Sequence, residues 1–360
     1  MSICAISTCW RAGLTRDAKE LIEKMKETGI SLLELEFRIF SETFEEIKKN
    51  CTAWGIKIIS MHAVCPSPQD RVRGAEKYLI SDTEEENRIR GVDHVKQTLR
   101  NAADVGARAI VLHCGRIPAD EPINIMKTFY DEEKIQSKEA EKSLQEISQN
   151  RAANKGKNFD ALLKSLDEIN AEAEKLGIDV GLENRYYFFE FPDMNELKTI
   201  FSLFDGSKLG YWHDTGHAQV NETLFGISQS GRATNTIWQG KSNWTDSEGT
   251  ARRVEARDAE IKWATARTPN KIFSKKTKFR KLLTQEMLLK TFHNRLIGVH
   301  LHDVLNGYND HNAPGCGTVD FDMVKSYLKP ETIRVMEINQ KVSPADAKQG
   351  ITFLKDKGIF

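Results

Sequence analysis

Residues 298–321 read GVHLHDVLNGYNDHNAPGCGTVDF and hold three of the chain's nine histidines, His300, His302 and His311. Asp303, Asp310 and Asp320 lie in the same run, and Asp322 follows it. Side chains of the same two kinds stand far away in sequence: His62, His113, Glu183 in LENR, Asp214 and His217 in HDTGHA, and Glu337 in MEIN. Mixed carboxylate and imidazole donors suit a divalent metal such as manganese, zinc, iron or cobalt better than calcium. Each has a plain structural use when taken alone, because a histidine at a strand end is often only hydrogen-bonded. Gathered in one pocket, they would repel or desolvate one another unless a cation balanced them. The chemistry to expect is metal-assisted, on condition that the fold brings these residues together.

The elements that must do so are legible as eight short β-rich runs: ICAIST (3–8), SLLELEF (31–37), IKIISMH (56–62), ARAIVLH (107–113), IDVGLEN (178–184), KLGYWHD (208–214), LIGVHLHD (296–303) and TIRVMEIN (332–339). Most are continuously apolar rather than alternating, which fits parallel strands covered on both faces. Amphipathic stretches separate them, such as RDAKELIEKMKETG (16–29) and ETFEEIKKNCTAWG (42–55), each closed by glycine. Strand and helix alternating eight times predict one closed (β/α)8 TIM barrel over residues 1–360. An open, doubly wound sheet is the competitor, but no G-x-G-x-x-G follows the first strand.

In such a barrel the C-terminal strand ends build the active site. Strands three and four end at His62 and His113, five at Glu183 with Arg185 beyond it, six at Asp214 with His217 just after, and eight at Glu337; strand two offers Glu34 and Glu36. His300 and His302 share parity on strand seven, so both can point inward, with Asp303 out of phase. His311 needs the turn APGCG to bring it back over the mouth, and Gly315 and Gly317 permit that turn. Two regions overrun the pattern. Residues 115–176 are expected to hold an extended helix pair, and 227–295 an insertion between strands six and seven. The insertion carries Trp238, Trp244, Trp263 and the basic tract KIFSKKTKFRK (271–281).

The 360 residues are 39% hydrophobic and 29% charged with zero formal net charge. That balance fits a globular chain and disfavours nucleic acid or anionic membrane as partner. No run reaches the roughly 18 apolar residues of a membrane span, and the start MSICAISTCWRAG lacks the basic segment of a signal peptide. Six cysteines without a CxxC pair suggest reduced thiols and a cytoplasmic home.

In this order, LENR, HDTGHA, HLHD and DHNAPGCGTVDF resemble the xylose-isomerase-like TIM barrel superfamily. That group spans sugar-phosphate isomerases and epimerases, ketose 3-epimerases, inosose dehydratase-like enzymes and endonuclease IV-type nucleases. The resemblance implies one divalent metal held by Glu183, Asp214, His300 and Glu337, with Glu183 and Glu337 also transferring protons. It implies that Arg185 and His217 meet substrate oxygens and that His62, His113, His302 and His311 line the substrate. The nuclease branch would draw His62, His113, His217 and His311 into a second or third metal site. Against that, Asn309 stands where that branch has an aspartate, with Asp310 displaced by one. The first expectation is a sugar, sugar phosphate or polyol isomerase or epimerase working through an enediolate. A metal-dependent phosphodiesterase, a lyase or dehydratase on a sugar derivative, and a non-catalytic scaffold are the alternatives. A small-molecule substrate is the expected partner, with a homo-oligomer contact or a cover for the mouth as uses for the insertion.

Overall fold

The computed structural model describes residues 3–67, 77–226, 242–245, 251–254 and 284–360. Eight parallel strands close into a barrel: β1 (Ile3–Ser7), β2 (Leu32–Leu35), β3 (Lys57–His62), β4 (Ala109–Leu112), β5 (Asp179–Glu183), β6 (Leu209–Asp214), β9 (Leu296–Leu301) and β12 (Ile333–Met336). Each neighbours the next in sequence order around the ring, and β1 closes on β12 through Ile3 opposite Ile333 and Ile6 opposite Met336. The expected (β/α)8 TIM barrel is the observed architecture.

Alternate residues of each strand divide the apolar content into two cores. The outer one packs the strands against helices that include α1 (Ala18–Lys26), α2 (Ser41–Asn50), α3 (Glu85–Asp104) and α7 (Met194–Leu203); α1 buries Leu21, Ile22 and Met25 on one stripe and is capped by Asp17. The inner one is small: Ala5, Ile59, Ala109, Val111, Trp212, Ile333 and Val335. Trp212 dominates it. A Cβ on Gly181 would sit 2.7 Å from the indole, and Gly298 is in closer contact still. Glycine is needed at these two points so that one large ring can plug the barrel beneath the strand ends.

The long region after β4 holds three helices rather than the expected pair: α4 (Ile123–Asp131), α5 (Lys138–Asn154) and α6 (Gly156–Leu176). Arg151 of α5 is buried and bonds the Phe188 and Glu190 carbonyls and the Glu196 carboxylate, tying these helices to the loop after β5. Between β6 and β9 come α8 (Thr215–Phe225), a short hairpin of β7 (Ser242–Thr245) and β8 (Ala251–Val254), and α9 (Gln285–Phe292). Phe292 of α9 packs on Phe201 and Tyr211, so the chain rejoins the barrel wall by Gln285. Trp238, Trp263 and the basic tract of the insertion lie outside the described residues. No helix among the described residues is long and apolar enough to cross a membrane.

Beyond β9 the chain does not form a simple loop. β10 (Asp303–Leu305) and β11 (Asn309–Asn312) pair antiparallel, with Asp303 opposite Asn312. Asp303 accepts hydrogen bonds from the backbone N–H groups of Gly315, Gly317 and Val319, so it holds the glycine turn in place. His311 has a φ of 55°, in the left-handed region that costs a non-glycine residue energy.

Candidate metal centre

The strand ends converge. Glu183, Asp214, His300 and Glu337 each offer one donor atom, and all four atoms lie within 4.8 Å of one another. His300 is central. Its Nδ1 is 2.9 Å from Glu183 Oε1, 3.0 Å from Glu337 Oε2 and 3.6 Å from Asp214 Oδ2. All four side chains are buried. Asp214 also caps α8, its Oδ1 accepting from the His217 backbone N–H at 2.7 Å. Three carboxylates this close and this dry need positive charge. The donor set, three oxygens and one imidazole nitrogen, fits a divalent transition ion.

The electrostatics of the cluster say the same. Burial alone would raise the Glu183 carboxyl, but Arg185, His113, His300 and His62 hold it well below the usual range. For Glu337 burial is likewise outweighed by His300 and His311. His300 is pushed well above an ordinary imidazole, burial being overcome by Glu337, Glu34, Asp214 and Glu183. The imidazolium does in part what a cation would do.

Two further donor groups adjoin the first. His62 and His113 gather on Glu183, and His217, His302 and His311 gather on Asp214. A backbone carbonyl only accepts, so each ring nitrogen facing one must carry the proton. His62 Nδ1 faces the Ala63 carbonyl at 3.2 Å and His217 Nδ1 the Asn184 carbonyl at 3.1 Å. Both rings therefore carry a proton on Nδ1 and turn Nε2 to the pocket, for His62 3.7 Å from Glu183 Oε2; burial lowers the His217 pKa, which leaves the lone pair on its Nε2. Arg185 Nη1 lies 2.6 Å from Glu183 Oε2 and against His113 Nε2, so a guanidinium already supplies the charge in that group. Glu190 steadies Arg185 from behind at 3.3 Å.

His302, expected to line the substrate, is held by protein groups on both ring nitrogens. It is fully buried; Nε2 meets Asp214 Oδ2 at 2.9 Å, and Nδ1 accepts from the His311 backbone N–H at 2.9 Å. His311 stacks on it with ring centroids 4.1 Å apart and reaches Glu337 Oε2 at 3.6 Å. The displaced aspartate faces inward all the same. Asp310 Oδ2 is 3.0 Å from His311 Nδ1 and 3.7 Å from His217 Nε2, while Asn309 is exposed. His213 of HDTGHA lies outside the wall, bonded to the Tyr211 hydroxyl, and burial lowers its pKa to about 3.

Sequence reasoning gave no role to Glu34, which is fully buried with Oε1 3.0 Å from His300 Nε2. It also passed over Phe37, whose ring meets the His62 edge at 5.8 Å, and Glu190. A carboxylate inside an apolar run was the available signal for Glu34.

Solved structures of the same fold include a D-tagatose 3-epimerase-like protein, 16% identical with a TM-score of 0.59 over 99% of this chain and 96% of that one. A 3-keto-D-glucoside 4-epimerase from E. coli in its apo form is 14% identical, TM-score 0.57, over 99% and 100% of the two chains. A D-allulose 3-epimerase from Methylomonas sp. in complex with D-allulose is 12% identical, TM-score 0.55, over 99% and 97%. No curated protein sequence matches significantly. The family model described as the xylose isomerase-like TIM barrel matches residues 22–357, nearly the whole chain. With the closed barrel and its polar strand ends, that match shows that the chain belongs to the xylose isomerase-like TIM barrel family.

Proposed function

We propose that the protein is a divalent-metal-dependent isomerase or epimerase of a sugar, sugar phosphate or polyol, acting by proton transfer beside a carbonyl. The observation that carries this reading is that two glutamates, Glu183 and Glu337, both reach the His300 Nδ1 position, at 2.9 and 3.0 Å. One divalent ion, of manganese, zinc, cobalt or iron, held by Glu183, Asp214, His300 and Glu337, would polarise the substrate carbonyl and lower the barrier to removing the neighbouring proton. One glutamate takes that proton, and the other returns a proton from the opposite side or to the adjacent carbon. Arg185 donates N–H bonds to a substrate oxygen and keeps Glu183 ionised. His217, with Nε2 unprotonated, accepts a hydrogen bond from a substrate hydroxyl. His62, His113 and His311 wall the cavity, and His302 holds Asp214 and His311 rather than substrate. The names of the structural neighbours, ketose and keto-glycoside epimerases, support this substrate class.

A metal-dependent phosphodiesterase is the second reading, favoured by the two donor groups that adjoin the first. The Arg185 guanidinium against Glu183 and His113 weighs against a cation there, and zero net charge weighs against a nucleic-acid substrate. A lyase using the same carbonyl activation would share every residue named. The cytoplasmic location and a homo-oligomer contact through the insertion belong to this proposal as well. Assay of the metal-loaded protein on a panel of ketoses, keto-glycosides and a duplex with an abasic site tests it. Proton exchange with solvent at a carbon next to a sugar carbonyl is expected. Cleavage of the duplex with no exchange on any sugar overturns it.

A further inference from the structure

We infer that Glu34 is the positioning residue of the metal centre, deciding which nitrogen of His300 faces the ligand cluster; this rests on the metal reading above. Glu34 belongs to β2, in the run LLEL, and has no exposed surface. A carboxylate in that position is costly unless both oxygens are engaged. Both are. Oε2 accepts the Ser60 hydroxyl at 2.8 Å, and Oε1 lies 3.0 Å from His300 Nε2.

The local backbone is shaped for this contact. β2 and β3 pair in register at Leu33 opposite Ile58, then shift so that Glu34 stands opposite Ser60. A shift of one residue re-aims side chains across a sheet. Here it brings the Ser60 hydroxyl onto the same face as the Glu34 carboxylate. The ring of His300 is further confined by the Trp212 indole at 5.2 Å and by the near-parallel His62 ring at 5.9 Å.

An ionised carboxylate only accepts, so His300 Nε2 must donate. The neutral ring then has its lone pair on Nδ1, the atom between Glu183, Glu337 and Asp214. Without Glu34 the neutral ring could carry its proton on either nitrogen and turn about its Cβ–Cγ bond. Partners of this kind, bonded to the far nitrogen of a ligating histidine, typically govern metal affinity by about 10–100-fold.

The test is titration of metal-stripped wild-type, Glu34→Gln and Ser60→Ala proteins with Mn2+ by calorimetry, and with Co2+ by visible absorption. Unfolding midpoints of the metal-free proteins are recorded alongside. Glu34→Gln is expected to weaken Mn2+ binding about 10–100-fold and to change the Co2+ spectrum, with an unfolding midpoint near that of wild type. Ser60→Ala is expected to weaken binding by a smaller factor. Wild-type affinity and spectrum in Glu34→Gln overturn the inference while leaving the metal site standing. Should Glu34→Gln not fold, unchanged affinity in Ser60→Ala overturns it. A wild-type protein that takes up neither ion removes the metal reading and this inference with it.

Discussion

Arg185 Nη1 lies 2.6 Å from Glu183 Oε2, the oxygen that His113 Nε2 also approaches at 2.9 Å. One guanidinium thus stands where a second cation would have to bind if Glu183 bridged two ions. Wild-type protein is expected to bind one tightly held divalent ion per chain. Arg185→Ala exposes His62, His113 and Glu183 together, and its stoichiometry is expected to rise above one. Calorimetric titration with Zn2+ reads both values. Two or three tight sites in the wild type would refute this assignment of Arg185 and favour the phosphodiesterase.

Glu183 and Glu337 carry the proposed proton transfers. Substitution of either by glutamine keeps the shape and removes the base, and is expected to lower kcat by roughly 10²–10⁴-fold. Both are also proposed ligands, so metal content is measured on each variant and turnover compared at saturating metal. Near-wild-type turnover in both variants would end the two-glutamate mechanism.

Gly181 faces the Trp212 indole, and an added Cβ would stand 2.7 Å from it. Gly181→Ala is expected to lose about 1–3 kcal/mol of stability through overpacking. In a Trp212→Phe background the same change should cost less, because the smaller ring leaves room. Chemical denaturation of the four proteins checks the coupling. Equal losses in both backgrounds would mean that the indole does not set the need for glycine.

The Arg151–Glu196 pair predicts a pH dependence away from the metal centre. Burial raises the Glu196 carboxyl, but Arg151 and then Lys155 outweigh it and bring its pKa down to about 2. A carboxyl whose folded pKa is depressed gives stability that is present above its unfolded pKa and lost as pH falls toward the folded value. The shift corresponds to about 3 kcal/mol, lost between roughly pH 5 and pH 2. Glu196→Gln is expected to be less stable at pH 7 and to show a shallower fall between pH 5 and pH 3. Parallel unfolding curves for the two proteins across that range would contradict it.

Much of the barrel was legible because parallel strands covered on both faces read as apolar runs. The ends of those runs carry Glu183, Asp214, His300 and Glu337, which the family resemblance singled out, and β5, β6, β9 and the residue after β12 bring their donor atoms within 4.8 Å of one another. What stayed hidden depends on contacts between distant segments. Glu34 reaches His300 only after the register shift between β2 and β3, which no local pattern announces. His302 has the inward parity of a ligand, yet its hydrogen bonds to Asp214 and to the His311 backbone give it a supporting place. Asp310 points inward because β11 pairs with β10 with Asn309 opposite Leu305, where the sequence suggested only a loop. The helix count after β4 was short by one because α4, nine residues long, adjoins two longer charged helices.

The central claim is that Glu183, Asp214, His300 and Glu337 hold a divalent ion in common. Elemental analysis of protein purified without chelator, beside Asp214→Asn and His300→Gln variants, tests it most directly. One equivalent of manganese, zinc, cobalt or iron per wild-type chain, falling well below one in both variants, is the expected result. A wild-type chain that carries no such ion and takes up none on dialysis, or variants that retain it in full, would contradict the account.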